Sequence, residues 1–222
     1  ILRNLGTLVA NLYLKFSMDI LLIRHGESYH SSLDNYNPEK CCPDPALTDH
    51  GKKQAKQLAQ KLAGKGIESI YCSDLIRAVE TANIINSCIK CDVNIDNAFR
   101  EINMGEIHLS SWDSFPERFA EWKLHKDDIR YPGGECGQDV WKRCSVALNA
   151  IAKSKASSVA IVSHGGTIRV IICGILGIPQ IKRFQLGAPL ECCSVSIIRY
   201  NEVEKKFFLH SFNDYSMPTN LL

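Results

Sequence analysis

A three-layer α/β/α domain built on a mostly parallel sheet is the fold class that this chain predicts. Two observations carry it. From Met18 onward, short apolar runs alternate with stretches whose apolar residues recur at i, i+3, i+4 and i+7. Glycine and proline signals mark the junctions, at Gly64 and Gly66, in the turn Tyr131-Pro132-Gly133-Gly134, and at Gly177 before Pro179. The length, 222 residues with 45% hydrophobic and 23% charged, suits one domain with a substantial core.

In chain order, 19–23 is the first buried strand. Thr48 caps a helix that buries Ala55, Leu58, Ala59 and Leu62. A second strand at 67–72 precedes a helix over 75–87 with Val79, Ala82 and Ile85 on one face. A short strand follows at 93–95. The stretch 103–131 is irregular around a helix at 117–126. The next helix, from about Asp139, aligns Val140, Cys144, Ala147, Leu148 and Ile151. Strand 159–162 leads to a helix opening near Thr167. Two late strands, 193–200 and 207–212, flank the polar turn 201–206.

The first seventeen residues are apolar except for Arg3 and Lys15, and Asn4, Gly6 and Asn11 interrupt them. That run is marginal for a membrane span of about 20 residues. Residues 1–17 are read as an extension outside the core fold, with one domain over 18–222 and no membrane span.

A net charge of +2 gives no basis for nucleic-acid binding. Ten cysteines form no disulfide framework, and Cys88-x-x-Cys91 is a lone pair without a second ligand pair. A reducing, cytoplasmic setting and no metal are expected. Neither a strand-linked Gly-x-Gly-x-x-Gly nor a Walker-type loop occurs, so no cofactor is expected. Oligomeric state is open, a homo-oligomer included.

Chemistry concentrates at strand ends. Arg24-His25-Gly26-Glu27 follows the first apolar run, Ser163-His164-Gly165-Gly166 follows another, and Arg77 and Glu101 lie behind two more. In open α/β sheets ligands bind at the C-terminal strand edge, so these positions are expected to converge. Arginine grips a phosphoryl group through a planar fork and keeps its charge, which suits Arg24 and Arg77. Gly26 and Gly165 let backbone approach closely. A neutral His25 can act as nucleophile, with His164 bonding the phosphoryl oxygens and Glu101 protonating the departing alkoxide. These cations make a metal ion unnecessary.

Four segments together resemble the successive motifs of the histidine phosphatase superfamily, which includes the cofactor-dependent phosphoglycerate mutases. They are Arg24-His25-Gly26-Glu27-Ser28, Ser73-Asp74-Leu75-Ile76-Arg77-Ala78-Val79-Glu80-Thr81-Ala82, Arg100-Glu101-Ile102-Asn103-Met104-Gly105-Glu106 and Val162-Ser163-His164-Gly165-Gly166. The stretch Asp44-Pro45-Ala46-Leu47-Thr48-Asp49-His50-Gly51 is similar to the family's lead into its first helix. The resemblance implies a phosphoglycerate mutase-like fold and a phosphorylated His25. It also implies a phosphate pocket of Arg24, Arg77 and His164, and Glu101 as proton donor. Many members carry a phosphate-contacting Asn shortly after the first motif; here that position is Ser31.

Glycolytic mutases similar to this chain carry a long insertion with paired arginines and several prolines. Residues 102–131 contain no Arg-Arg and one proline, Pro116. Hydrolysis of a small phosphorylated metabolite is therefore expected, with mutase activity as the alternative. A catalytically idle scaffold would be expected to lack a nucleophile, an arginine or the acid, and a metal hydrolase would need ligand clusters; neither pattern is present. Trp112, Phe115, Phe119, Trp122 and His125 form either a cap over the site or a packing cluster, with packing favoured.

Overall fold

The computed structural model describes residues 16–29, 36–110, 112–124, 126–187 and 189–216. Its elements run β1 (Phe16–Arg24), β2 (Tyr36–Asn37), β3 (Cys42–Pro43), α1 (Asp49–Leu62), β4 (Ser69–Cys72), α2 (Ile76–Ile89) and β5 (Asp92–Ile95). There follow α3 (Pro116–Lys123), α4 (Gly137–Ala152), β6 (Ser158–Ser163), α5 (Gly165–Leu176), β7 (Val195–Asn201) and β8 (Lys206–Asp214). Six strands form one sheet in the order β5-β4-β6-β1-β7-β8. Neighbours from β5 to β1 are parallel, and β7 alone runs against them.

Strands β1 and β6 are buried on both faces, and their alternate residues serve two cores. Leu21, Ile23, Ala160 and Val162 pack with α1 and α2, through Ala55, Leu58, Ala78 and Ile85. Ile20, Leu22, Val159 and Ile161 pack with α4 and α5, through Val140, Leu148, Ile168 and Ile171. This period-2 division explains why both strands are continuous apolar runs. Each fully buried Leu or Ile contributes roughly 1.5–3 kcal/mol. The predicted three-layer class is the one observed.

Local chemistry sets the boundaries. Thr48 Oγ1 accepts from the Gly51 N–H at 3.0 Å and caps α1. Asp139 accepts from the Cys136 N–H at 2.8 Å at the start of α4, and α5 ends at Gly177, whose φ of +67° suits glycine. Several boundaries differ from expectation. β1 begins at Phe16, inside the stretch read as an extension, because Phe16 still pairs with Asn201. α5 opens at Gly165, before Thr167, with His164 at its N-cap. α3 is shorter, starting on Pro116, which fits a first helical turn because its missing N–H needs no partner there.

All ten cysteines lie among the described residues and are free. Burial pushes the Cys42 and Cys72 thiols up to about 11 and those of Cys144 and Cys193 to about 12, so they act as small apolar groups. Among the described residues, no helix is long and apolar enough to cross a membrane.

Candidate active site

Three adjacent parallel strands end at one level. Arg24 of β1 is in register with Ser163 of β6, and Cys72 of β4 with Val162. The ladder continues one step further, with the His25 N–H bonded to the Ser163 carbonyl at 3.0 Å and the Ser73 N–H to Val162 at 3.0 Å. His25, His164 and Ser73 therefore emerge side by side. The two imidazoles meet edge to face with centroids 5.0 Å apart, and His164 Nε2 lies 2.8 Å from Ser73 Oγ.

The nitrogens of His25 have separate tasks. Nδ1 sits 2.6 Å from the Gly26 carbonyl, which can only accept, so Nδ1 carries the proton. Nε2 then holds a lone pair and accepts from Arg77 Nε at 3.3 Å. Burial first, then the Arg77 guanidinium, pushes the His25 pKa down to about 3. The ring is neutral at pH 7, with its free base aimed at a guanidinium. His164 is also held well below the ordinary imidazole range, by burial first and then by Arg77 and His25.

Both arginines are bound by groups that leave them charged and available. Arg77 Nη1 donates to the Pro43 carbonyl at 3.3 Å, and Arg24 Nη1 donates to the Leu190 carbonyl. Arg24 Nε and His164 Nδ1 are buried with no hydrogen-bond partner among the described residues. Two orphaned polar atoms beside a histidine pair suit an oxyanion ligand, because each would otherwise cost about 1–3 kcal/mol.

Glycines make this proximity possible. A Cβ on Gly26 would stand 2.6 Å from the Gly51 carbonyl oxygen, so only glycine lets the His25 strand end press against α1. Gly165 has a looser fit, since a Cβ there would lie 3.6 Å from Arg24 Nε. The tight place on α5 is Gly166, where a Cβ would fall 2.5 Å from Glu101 Oε1.

Glu101 sits on the N-terminus of α5. Its Oε1 accepts from the Ile102 N–H at 2.8 Å and the Thr167 N–H at 3.0 Å, and Oε2 accepts from the Gly166 N–H at 3.1 Å. Glu101 is within electrostatic reach of Arg77. Its loop is braced from behind, where Arg143 grips Glu135 at 2.9 and 3.0 Å and donates to the Ala98 and Glu101 carbonyls at 2.6 and 3.3 Å.

Arg24, His25, Gly26, Arg77, Glu101, His164 and Gly165 thus lie around one strand edge, and Ser31 lies outside the described residues. Phe119 and Trp122 of α3 stack at 6.3 Å, with Phe184 edge-on to Trp122 at 5.6 Å, and both are half-buried. The Trp112 side chain and His125 are outside the description.

Several neighbours escaped sequence reasoning. Thr81 Oγ1 accepts from the Gly26 N–H at 3.1 Å while its hydroxyl donates to the Arg77 carbonyl at 2.7 Å, tying two motifs together. His108 is half-buried, and burial, then Arg77, lowers its pKa. Arg143 left a signal, since it stands three residues after Val140, within the apolar stripe of its helix.

The doubly cored α/β sheet thus carries a neutral histidine pair together with Arg24 and Arg77 at one strand edge. The family model described as the histidine phosphatase superfamily, branch 1, matches residues 20–214, and the chain belongs to that superfamily. A relative from Cronobacter sakazakii, named "Probable phosphoglycerate mutase GpmB", is 33% identical over 190 residues, covering 83% of this chain and 86% of that protein. Among solved structures, Bacillus stearothermophilus YhfR aligns with a TM-score of 0.75 at 24% identity, covering 90% of this chain and 98% of that one. A mycobacterial glucosyl-3-phosphoglycerate phosphatase aligns with a TM-score of 0.70 at 23% identity, over 89% and 99% of the respective chains. These two likenesses show a shared fold.

Proposed function

We propose that this chain is a metal-independent phosphomonoesterase that acts on a small phosphorylated metabolite through a phosphohistidine intermediate. The observation that carries the reading is the neutral His25, its proton fixed on Nδ1 by Gly26 and its Nε2 lone pair beside Arg77. Arg24, Arg77 and His164 hold the phosphoryl oxygens, with Gly165 leaving room for them. Nε2 attacks phosphorus, the N–P bond forms, and the bond to the ester oxygen breaks. Glu101, held at this edge by the Gly166 and Thr167 N–H groups, gives a proton to that oxygen as the bond breaks. Water then attacks the phosphohistidine and returns a proton to Glu101. Inorganic phosphate leaves and His25 is restored as the neutral base.

The relatives named as phosphoglycerate mutases favour a second reading, in which the phosphoryl group returns to a phosphoglycerate. One experiment separates the two. Wild-type protein in EDTA is expected to hydrolyse p-nitrophenyl phosphate, with orthovanadate inhibiting. His25→Ala is expected to lower turnover by about 10³-fold or more with folding intact. Adding 2,3-bisphosphoglycerate to phosphoglycerate isomers should yield inorganic phosphate rather than interconversion. Retained activity in His25→Ala refutes the nucleophile, EDTA-sensitive turnover refutes metal independence, and interconversion establishes the mutase.

A further inference from the structure

Among the described residues, no carboxylate anchors Arg24. Its Nη1 donates to the carbonyl of Leu190, a residue 1% exposed on the segment between α5 and β7. Arg169 grips that same segment, with Nε donating to the Leu186 carbonyl at 2.8 Å and Nη2 to the Gly187 carbonyl. Arg169 stands four residues after Gly165, on the same face of α5. Gly165 is the residue whose missing Cβ faces Arg24 Nε at 3.6 Å. The two arginines therefore hold one stretch of chain from its two ends.

The carbonyls they hold belong to residues three or four apart in the chain. Gly187 has a φ of +44°, and a Cβ there would lie 3.2 Å from Leu190 Cδ2 and 3.2 Å from Phe212 Cε1. Gly187 thus packs beside the Leu190 side chain, three residues along the same stretch from the carbonyl that Arg24 holds. A guanidinium suits the task because its planar fork reaches two successive carbonyls, which a lysine ammonium cannot span in one posture. Glu101 and Arg24 are both among the charged groups that Arg169 feels, which places it close to the reacting groups.

We infer that Arg169 is a positioning residue that fixes Leu190, and through its carbonyl Arg24, so that Arg24 Nε faces the phosphoryl oxygens. The inference rests on the phosphatase reading. It differs from a direct substrate role, because Nε and Nη2 of Arg169 are committed to backbone carbonyls.

The test uses Arg169→Met, Arg169→Lys and Gly187→Ala, with p-nitrophenyl phosphate, phosphoserine and orthovanadate as probes. Arg169→Met is expected to lower kcat/KM on both esters by the same factor, about 10- to 100-fold, as a misplacement near 1 Å does. The orthovanadate inhibition constant should rise by a comparable factor. Arg169→Lys should recover part of each loss. Gly187→Ala keeps the guanidinium but crowds Leu190, and should reproduce both losses. A purely structural Arg169 would lower the thermal midpoint and leave the vanadate constant of the folded protein unchanged, which overturns the inference. So does a loss confined to phosphoserine, which would make Arg169 a contact for the substrate carboxylate. If Arg169→Met does not fold, the other two variants decide by the same readouts. A wild-type protein that neither hydrolyses monoesters nor responds to vanadate sinks the functional reading, and this inference with it; normal wild-type behaviour with silent variants sinks this inference alone.

Discussion

Gly166→Ala tests the place of Glu101 most directly. The new methyl carbon would stand 2.5 Å from Glu101 Oε1, 3.1 Å from Cδ and 3.2 Å from Oε2. An unstrained contact needs roughly 3.5 Å, so the carboxyl group must retreat by about 1 Å. Retreat breaks its hydrogen bonds from Gly166 and Thr167, worth about 1 kcal/mol each. Alanine regains up to about 1 kcal/mol of helix propensity, so the net change in stability stays near 1–2 kcal/mol and the protein folds. The activity loss is much larger and depends on the leaving group. A displaced general acid should cost about 10²-fold on glycerol phosphate, whose alkoxide must be protonated as it leaves. p-Nitrophenolate departs without that help, so its ester should lose no more than about threefold. Steady-state kinetics across p-nitrophenyl, phenyl and glycerol phosphates, with a thermal melt alongside, reads both effects. Parallel losses on all three esters refute the assignment of Glu101 as proton donor.

Two further outcomes follow from the same geometry. Unfolded His25 binds a proton near pH 6.5 and the folded residue only near about 3, so the unfolded state takes up more protons throughout that window. Stability should therefore fall as pH drops below 6.5, by up to about 1.4 kcal/mol per unit from this group. Urea denaturation at pH 6.5 and 4.5 should show a flatter dependence for His25→Gln, and an unchanged slope would refute the buried neutral ring. Arg143→Met removes the grip on Glu135 and on the Ala98 and Glu101 carbonyls. It should lower stability by about 2–3 kcal/mol, the pair being only partly exposed. A change below 0.5 kcal/mol (roughly the scatter expected of surface substitutions) would show that the brace is slack.

The sheet was legible because its strands report their burial directly. β1 and β6 read as unbroken apolar runs, since they face helices on both sides, and each is followed by an Arg or His that no core position would favour. α1 announced itself through Thr48 and a regular stripe. The stretch before α3 was illegible because its 3-10 turns at Gly105–His108 and Trp112–Ser114 carry no periodic signal. The start of α5 was misplaced because two glycines mask a helix whose first N–H groups are satisfied by a remote carboxylate. Site residues that present their own chemistry were visible. Those that act by holding others, such as Thr81 and Arg169, were not, because their partners are backbone groups that only the fold brings near, while Arg143 showed only as a charge within an apolar stripe.

The spacing of the two imidazoles is inherited from the ladder between β1 and β6, not from any loop. An imidazole pair set by backbone pairing does not drift when surface segments lengthen, shorten or change composition. The stretch before α4 is thus free to diverge while the two imidazoles keep their spacing. On the proposed phosphatase reading, selectivity and reactivity become separable traits, and a designer could rewrite the first without retuning the second.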